Sequence, residues 1–158
     1  MHLKQMKPQK GSHSLRKGRT SIKNQHYLIT TAVHKRRPVL NRLEAAQIIL
    51  SSLHWLESQK RIILDDAVVM PDHLHLVAAL RQDSLGRLMH SLKSYSAKKI
   101  NALLKRQGTF WQPQYHDHAL RKDEDLNEVV LYTLNNPVRA GLVEDFHDYP
   151  YWYCRWSV

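Results

Sequence analysis

The 158-residue chain carries 24 Lys and Arg against 14 Asp and Glu, a net charge of +10, so its expected partner is a polyanion, above all nucleic acid. The length fits a single domain with a real core. No apolar run approaches the roughly 20 residues of a membrane helix, so no membrane partner is expected. A lone cysteine, Cys154, excludes an internal disulfide framework. With no apolar leader at the N-terminus, the expected compartment is the cytoplasm.

Residues 1–24 are basic, polar and without periodicity, and read as a flexible arm; residues 25–158 read as one domain. No acidic residue precedes Glu44, while Arg16, Lys17, Arg19, Lys35, Arg36 and Arg37 all do. Tyr27–Val33 is rich in β-formers and predicts a strand. Leu40 to Lys60 predicts a helix with a buried stripe of Leu43, Ala46, Leu50, Leu53 and Leu56 or Trp55. Ile62–Leu64 with Ala67–Val69, then Leu74–Ala78, are short apolar runs around Met70-Pro71-Asp72, the pattern of an antiparallel hairpin.

Ser84 is an N-cap candidate for a second helix that runs to Lys105 and stops at Gly108. Leu85, Leu88, Leu92, Tyr95, Ile100 and Leu103 form its expected stripe, and Lys93, Lys98 and Lys99 give it a basic face. Thr109 to Arg121 predicts an extended segment, and Asp123 to Asn136 a third helix ended by Asn136-Pro137. The aromatic tail from Phe146 to Trp156 predicts irregular structure. Strand, helix, two strands, helix, strand and an extra helix make an α+β chain with the split β-α-β pattern of a ferredoxin-like sandwich, a four-stranded antiparallel sheet.

In an extended strand His73 and His75 share one face, while Leu74 and Leu76 point to the other. Two imidazoles side by side are half of a metal site, although such a pair also occurs at a plain polar strand edge. On the third helix, Leu126, Val130 and Thr133 define a core face, with Val129 and Leu134 at its edges. Tyr132 and Asn136 lie one turn apart at its flank. They read either as a rim tyrosine with a helix-stop asparagine, or as a nucleophile with a helper ligand. A tyrosine is a poor nucleophile at its ordinary pKa near 10, but serves when the electrophile is a phosphodiester polarised by a metal. His73, His75 and the Asn136 amide oxygen suit Mg²⁺ or Mn²⁺, and ligand type alone leaves Zn²⁺ open. His116-Asp117-His118 competes for the metal role and Tyr115 for the nucleophile role. Trp111, Gln112 and their neighbours read as a surface for stacking and hydrogen bonding to bases, or as structural residues.

Met70-Pro71-Asp72-His73-Leu74-His75-Leu76 resembles the HUH motif of the single-tyrosine transposases of insertion-sequence type. Trp111-Gln112, Asp117-His118-Ala119-Leu120-Arg121 and Tyr132–Val143 resemble the REP-associated tyrosine transposase branch. The three pieces, in this order, cover roughly residues 20–150. The resemblance implies a ferredoxin-like fold with an added C-terminal catalytic helix, His73 and His75 as metal ligands, Asn136 as the third, and Tyr132 as nucleophile. It implies cleavage and rejoining of single-stranded DNA through a 5′-phosphotyrosine link, on hairpins of repetitive extragenic palindromes, hence association with the nucleoid. Arg16, Lys17, Arg19, Lys35, Arg36, Arg37, Lys93, Lys98, Lys99, Trp111, Gln112, His118 and Arg121 are then the expected DNA contacts. Asp72 stands where relatives often have Asn, a change expected to leave the ligands intact. A monomer is expected over a homodimer. The competing readings are a catalytically silent hairpin-binding protein and, less well supported, an RNA-binding module.

Overall fold

The computed structural model describes residues 21–158. The basic arm through Arg16, Lys17 and Arg19 lies outside the described residues. Five strands form one antiparallel sheet in the order β4-β1-β3-β2-β5. They are β1 (His26–Ala32), β2 (Ile62–Val69), β3 (His73–Leu80), β4 (His116–Ala119) and β5 (Trp152–Cys154). The first four keep the order of the expected split β-α-β sandwich. The fifth belongs to the tail expected to be irregular: Trp152 and Cys154 pair with Val68 and Asp66 and cover the outer edge of β2. An aromatic tail can supply backbone partners to an open sheet edge without any apolar alternation of its own.

Alternation along the strands divides the core in two. Tyr27, Ile29, Leu64, Leu74, Leu76, Ala78 and Leu80 face the long helices α1 (Leu43–Ser58) and α2 (Leu85–Leu104). Val68, Met70 and Val77 face the other way, against Val129, Val130 and Leu134 of α3 (Leu126–Leu134), with Phe146 and Tyr149 of the tail. The side of the sheet opposite the long helices is therefore occupied by the third helix, which puts the odd-numbered side chains of β3 under α3.

The buried stripes of the long helices are rotated from the expected ones. Leu43 and Trp55 are exposed, and Ala45, Ile49 and Ser52 are buried instead. On α2, Met89 and Ser96 are buried, while Tyr95 lies at the surface, stacked on Trp55 at 5.7 Å between ring centres. Each buried serine folds its hydroxyl back onto its own helix, Ser52 to the Ile48 carbonyl and Ser96 to that of Leu92, both at 2.6 Å. This internal bond satisfies a polar group at a close-packed helix face, so the apolar pattern alone misplaces the stripe.

The caps explain the element ends. Ser84 Oγ accepts from the Arg87 amide at the start of α2, as expected. Its other end is set by Lys105 in a left-handed conformation (φ 52°), before Gly108. Asp125 caps α3 by accepting from the Asn127 amide. Beyond Asn135 the chain turns into the single-turn α4 (Asn136–Arg139), whose start accommodates Pro137. Gly141 (φ 74°) ends it, with Leu142 N–H donating back to the Pro137 carbonyl, a left-handed stop that favours glycine. β2 runs straight through Asp65 and Asp66, which interrupt its apolar pattern, with a register shift between Leu64 and Asp66. The fully buried Asp66 fills that irregularity, its Oδ1 accepting from the Val77 amide at 3.0 Å. Among the described residues no helix is long and apolar enough to cross a membrane.

Candidate active site

The turn Met70–Asp72 delivers His73 and His75 at the start of β3, on the α3 side of the sheet. Their Nε2 atoms face each other at 2.9 Å, with the rings edge to face. The opposite nitrogen of each ring is held from behind. His73 Nδ1 is 2.5 Å from Asp72 Oδ1, and His75 Nδ1 is 2.9 Å from the hydroxyl of Thr30, its cross-strand partner. His73 Nδ1–H donates a hydrogen bond to the Asp72 carboxylate, which leaves the lone pair of His73 on Nε2. Burial lowers the His73 pKa, opposed by Asp72; burial, then the neighbouring imidazole and the guanidinium groups of Arg139 and Arg36, lower that of His75 to about 3. Both rings are therefore neutral at neutral pH, the ligating form. Two neutral nitrogens converging on one point, each fixed by an outer partner, suit a divalent cation. Among the described residues no third His, Cys, Asp or Glu completes the set, so further donors must come from an amide, water or substrate oxygen.

Tyr132 and Asn136 are tied together by Arg139. One arm of its guanidinium donates to the Tyr132 carbonyl at 2.7 Å and the other to Asn136 Oδ1 at 2.7 Å. Its Cζ stands over the Tyr132 ring, 3.8 Å from the ring centre. Asn136 Nδ2 donates to the Thr133 carbonyl. The amide oxygen that the sequence assigns to a metal is thus engaged by Arg139 here. Arg139 also adds to the field at His75, which links the tyrosine cluster to the histidine pair.

Other sequence candidates fall in different places. Tyr115 packs against the core on the α1–α2 side of the sheet, away from the histidines. His118 bonds Glu124 at 2.8 Å and stands opposite Leu28 on β1, two rows from the pair. Arg121 lies 3.4 Å from the same carboxylate. Trp111 is a correction: it is 4% exposed, with its indole N–H donating to Ser96 Oγ, so it is a core residue and offers no face to a base. Gln112 is half-buried, with its backbone N–H bonded to Ala32 and its carbonyl to the Lys93 ammonium. Lys98 and Lys99 are exposed on α2, across the sheet from the histidines. Lys35, Arg36 and Arg37 follow β1 beside the site, and Arg36 reaches the second oxygen of Asp72 at 3.6 Å.

Sequence reasoning missed three contributors. Thr30 becomes visible only through the β1–β3 register. Asp72 is a direct partner of His73 and more than a turn residue. Arg139 did leave a signal, since it follows Tyr132 by seven positions and Asn136 by three, the spacing of one helical face.

The chain is thus an α+β protein whose split β-α-β sheet carries two facing imidazoles on the face covered by the tyrosine-bearing helix. The model of the IS200-like transposase family matches residues 21–136, and the chain belongs to that family. Its relatives lie in the REP-associated tyrosine transposase branch. Such a protein from Escherichia coli K12 is 25% identical over 132 residues, covering 82% of this chain and 76% of the relative. One from Haemophilus influenzae, provisionally given the same name, is 30% identical over 94 residues, covering 52% of this chain. That match spans 53% of the Haemophilus influenzae protein's length. A REP-associated tyrosine transposase solved bound to a REP hairpin superposes with TM-score 0.71 at 23% identity, over 85% of this chain and 79% of that one. A Deinococcus radiodurans protein, provisionally a transposase, gives TM-score 0.53 at 24% identity, over 75% of this chain and 95% of that one. At these identities the two structures establish the fold.

Proposed function

We propose that the protein cleaves and rejoins single-stranded DNA at palindromic hairpins, using Tyr132 as nucleophile and a divalent metal, Mg²⁺ or Mn²⁺, on His73 and His75. The observation that carries this reading is the pair of facing, desolvated Nε2 atoms on the sheet face covered by the tyrosine helix. Asn136 Oδ1, which now accepts from Arg139, would be the third donor only with that bond released, because a guanidinium and a metal ion on one oxygen repel. A cation held there would polarise the scissile phosphodiester and offset negative charge on its oxygens.

The chain's own residues do the rest. Asp72 and Thr30 hold the imidazoles in their ligating orientation. The Tyr132 phenol oxygen attacks phosphorus and gives up its proton. The O–P bond to tyrosine forms, the bond from phosphorus to the 3′ oxygen breaks, and that oxygen takes up a proton as a 3′-OH. Attack by another 3′-OH on the 5′-phosphotyrosine reverses the step and rejoins strands without ATP. Lys35, Arg36 and Arg37, beside the site, supply phosphate contacts and salt-sensitive affinity. The hairpin substrate is favoured by the REP-bound fold relative and by the net charge of +10.

The test is a labelled single-stranded hairpin oligonucleotide incubated with the protein and Mn²⁺ or Mg²⁺. A covalent adduct that persists in Tyr115→Phe and disappears in Tyr132→Phe supports the reading. Hairpin binding with no adduct or cleavage at any metal concentration refutes it in favour of a silent binding protein. His73→Ala should abolish cleavage and leave binding nearly intact, since phosphate contacts dominate affinity.

A further inference from the structure

We propose that Arg139 receives the scissile phosphate and holds the Tyr132 ring for attack, a catalytic role that rests on the strand-cleavage reading above. The two jobs follow from one geometry. The guanidinium carbon sits 3.8 Å from the ring centre, so the group limits rotation of the phenol about its side-chain bonds. Its two bonds, to the Tyr132 carbonyl and Asn136 Oδ1, fix the plane of the fork. Among the described residues the rest of the fork has no acceptor, and the side chain is exposed to an incoming strand.

Charge points the same way. A phosphodiester brings a negative charge into a site whose imidazoles are neutral and whose nearby guanidinium groups are those of Arg36 and Arg139. Arg36 is already 3.6 Å from the Asp72 carboxylate, which partly satisfies it. Arg139 has no carboxylate partner among the described residues; it is held by a carbonyl and an amide, both neutral. A phosphate oxygen is a stronger acceptor than either, and a planar fork donates to two phosphate oxygens at once. Transfer of the fork from Asn136 Oδ1 to the phosphate also frees that amide oxygen. One side chain therefore couples arrival of the DNA to release of a donor beside the histidines. The placement is local: Arg139 sits on α4, directly after the tyrosine helix, so it moves with the nucleophile and stays over the ring.

The experiment is single-turnover adduct formation on a labelled hairpin oligonucleotide with Mn²⁺, comparing wild type, Arg139→Ala and Arg139→Lys. Arg139→Ala should form the adduct about 100-fold more slowly. Its hairpin Kd should stay within about threefold, because the other basic residues dominate affinity. Guanidinium ion added at millimolar concentration should restore part of the Arg139→Ala rate and leave wild type unchanged. Arg139→Lys keeps the charge and loses the fork, and should remain well below wild type. Adduct rates within about threefold of wild type in Arg139→Ala overturn the proposal. A slow variant that guanidinium does not rescue, with a lowered Tm, also overturns it and marks Arg139 as a helix-joint residue. Absence of adduct in wild type itself removes the strand-cleavage reading, and this inference with it.

Discussion

Keeping His75 uncharged should make the fold acid-sensitive in a way that one substitution removes. The half-buried ring lies beside His73 and near two guanidinium groups, and its pKa falls from 6.5 to about 3. The unfolded chain binds a proton at this position below pH 6.5, and the folded chain does not until near pH 3. The contribution is therefore intact above pH 6.5 and is lost progressively as the pH falls toward 3. Each unit in that window costs about 1.36 kcal/mol, so lowering the pH from 6.5 to 5 removes about 2 kcal/mol. For a chain of this size that is a Tm decrease of about 4–8 °C. His75→Gln keeps a polar group near Thr30 and has no proton to take up. The assay is thermal unfolding of both proteins, without added metal, at half-unit steps from pH 7.5 to 5. The difference between the curves isolates His75 from other titrating groups. Wild type should lose the additional 4–8 °C, and parallel curves would refute the burial argument.

Asp66 should act with the opposite sign. Burial, aided by the neighbouring Asp65, raises its pKa well above 3.8, so its contribution is full at low pH and is lost as the pH rises. Asp66→Asn should raise Tm at pH 8 and lose that advantage by pH 4; an equal effect at both pH values would contradict the assignment. Asp72→Ala removes the outer partner of His73, and Mn²⁺ affinity measured by calorimetry should fall about 10- to 100-fold with little change in fold. An unchanged affinity would return Asp72 to the role of a turn residue. Trp111→Ala should destabilise the fold by about 3–5 kcal/mol in denaturant titration. If it weakened hairpin binding at unchanged stability, its place in the core would be wrong.

The two parts of the candidate site were legible in the sequence because each depends on a local period. Strand alternation alone puts His73 and His75 on one face, and helical pitch alone puts Tyr132 and Asn136 one turn apart. Arg139 lies past the Asn136-Pro137 step where the expected helix stops, and joins them only through the separate turn of α4. The sheet's first four strands and three main helices were legible for the same reason. Asp72 was visible as a turn residue, yet its carboxylate could not be assigned to His73 without the bend of the chain between them.

Tertiary structure decided the rest. Which face of β3 is covered by α3, that Thr30 stands opposite His75, and that Tyr115 packs on the far side all depend on strand order and register. The buried serines, the core position of Trp111 and the docking of Trp152–Cys154 on β2 depend on partners distant in the chain. A backbone period is set by each residue and its near neighbours, so the sequence by itself determined the faces. Burial and hydrogen-bond satisfaction are set by whatever packs across the gap, so only the folded chain determined which faces meet.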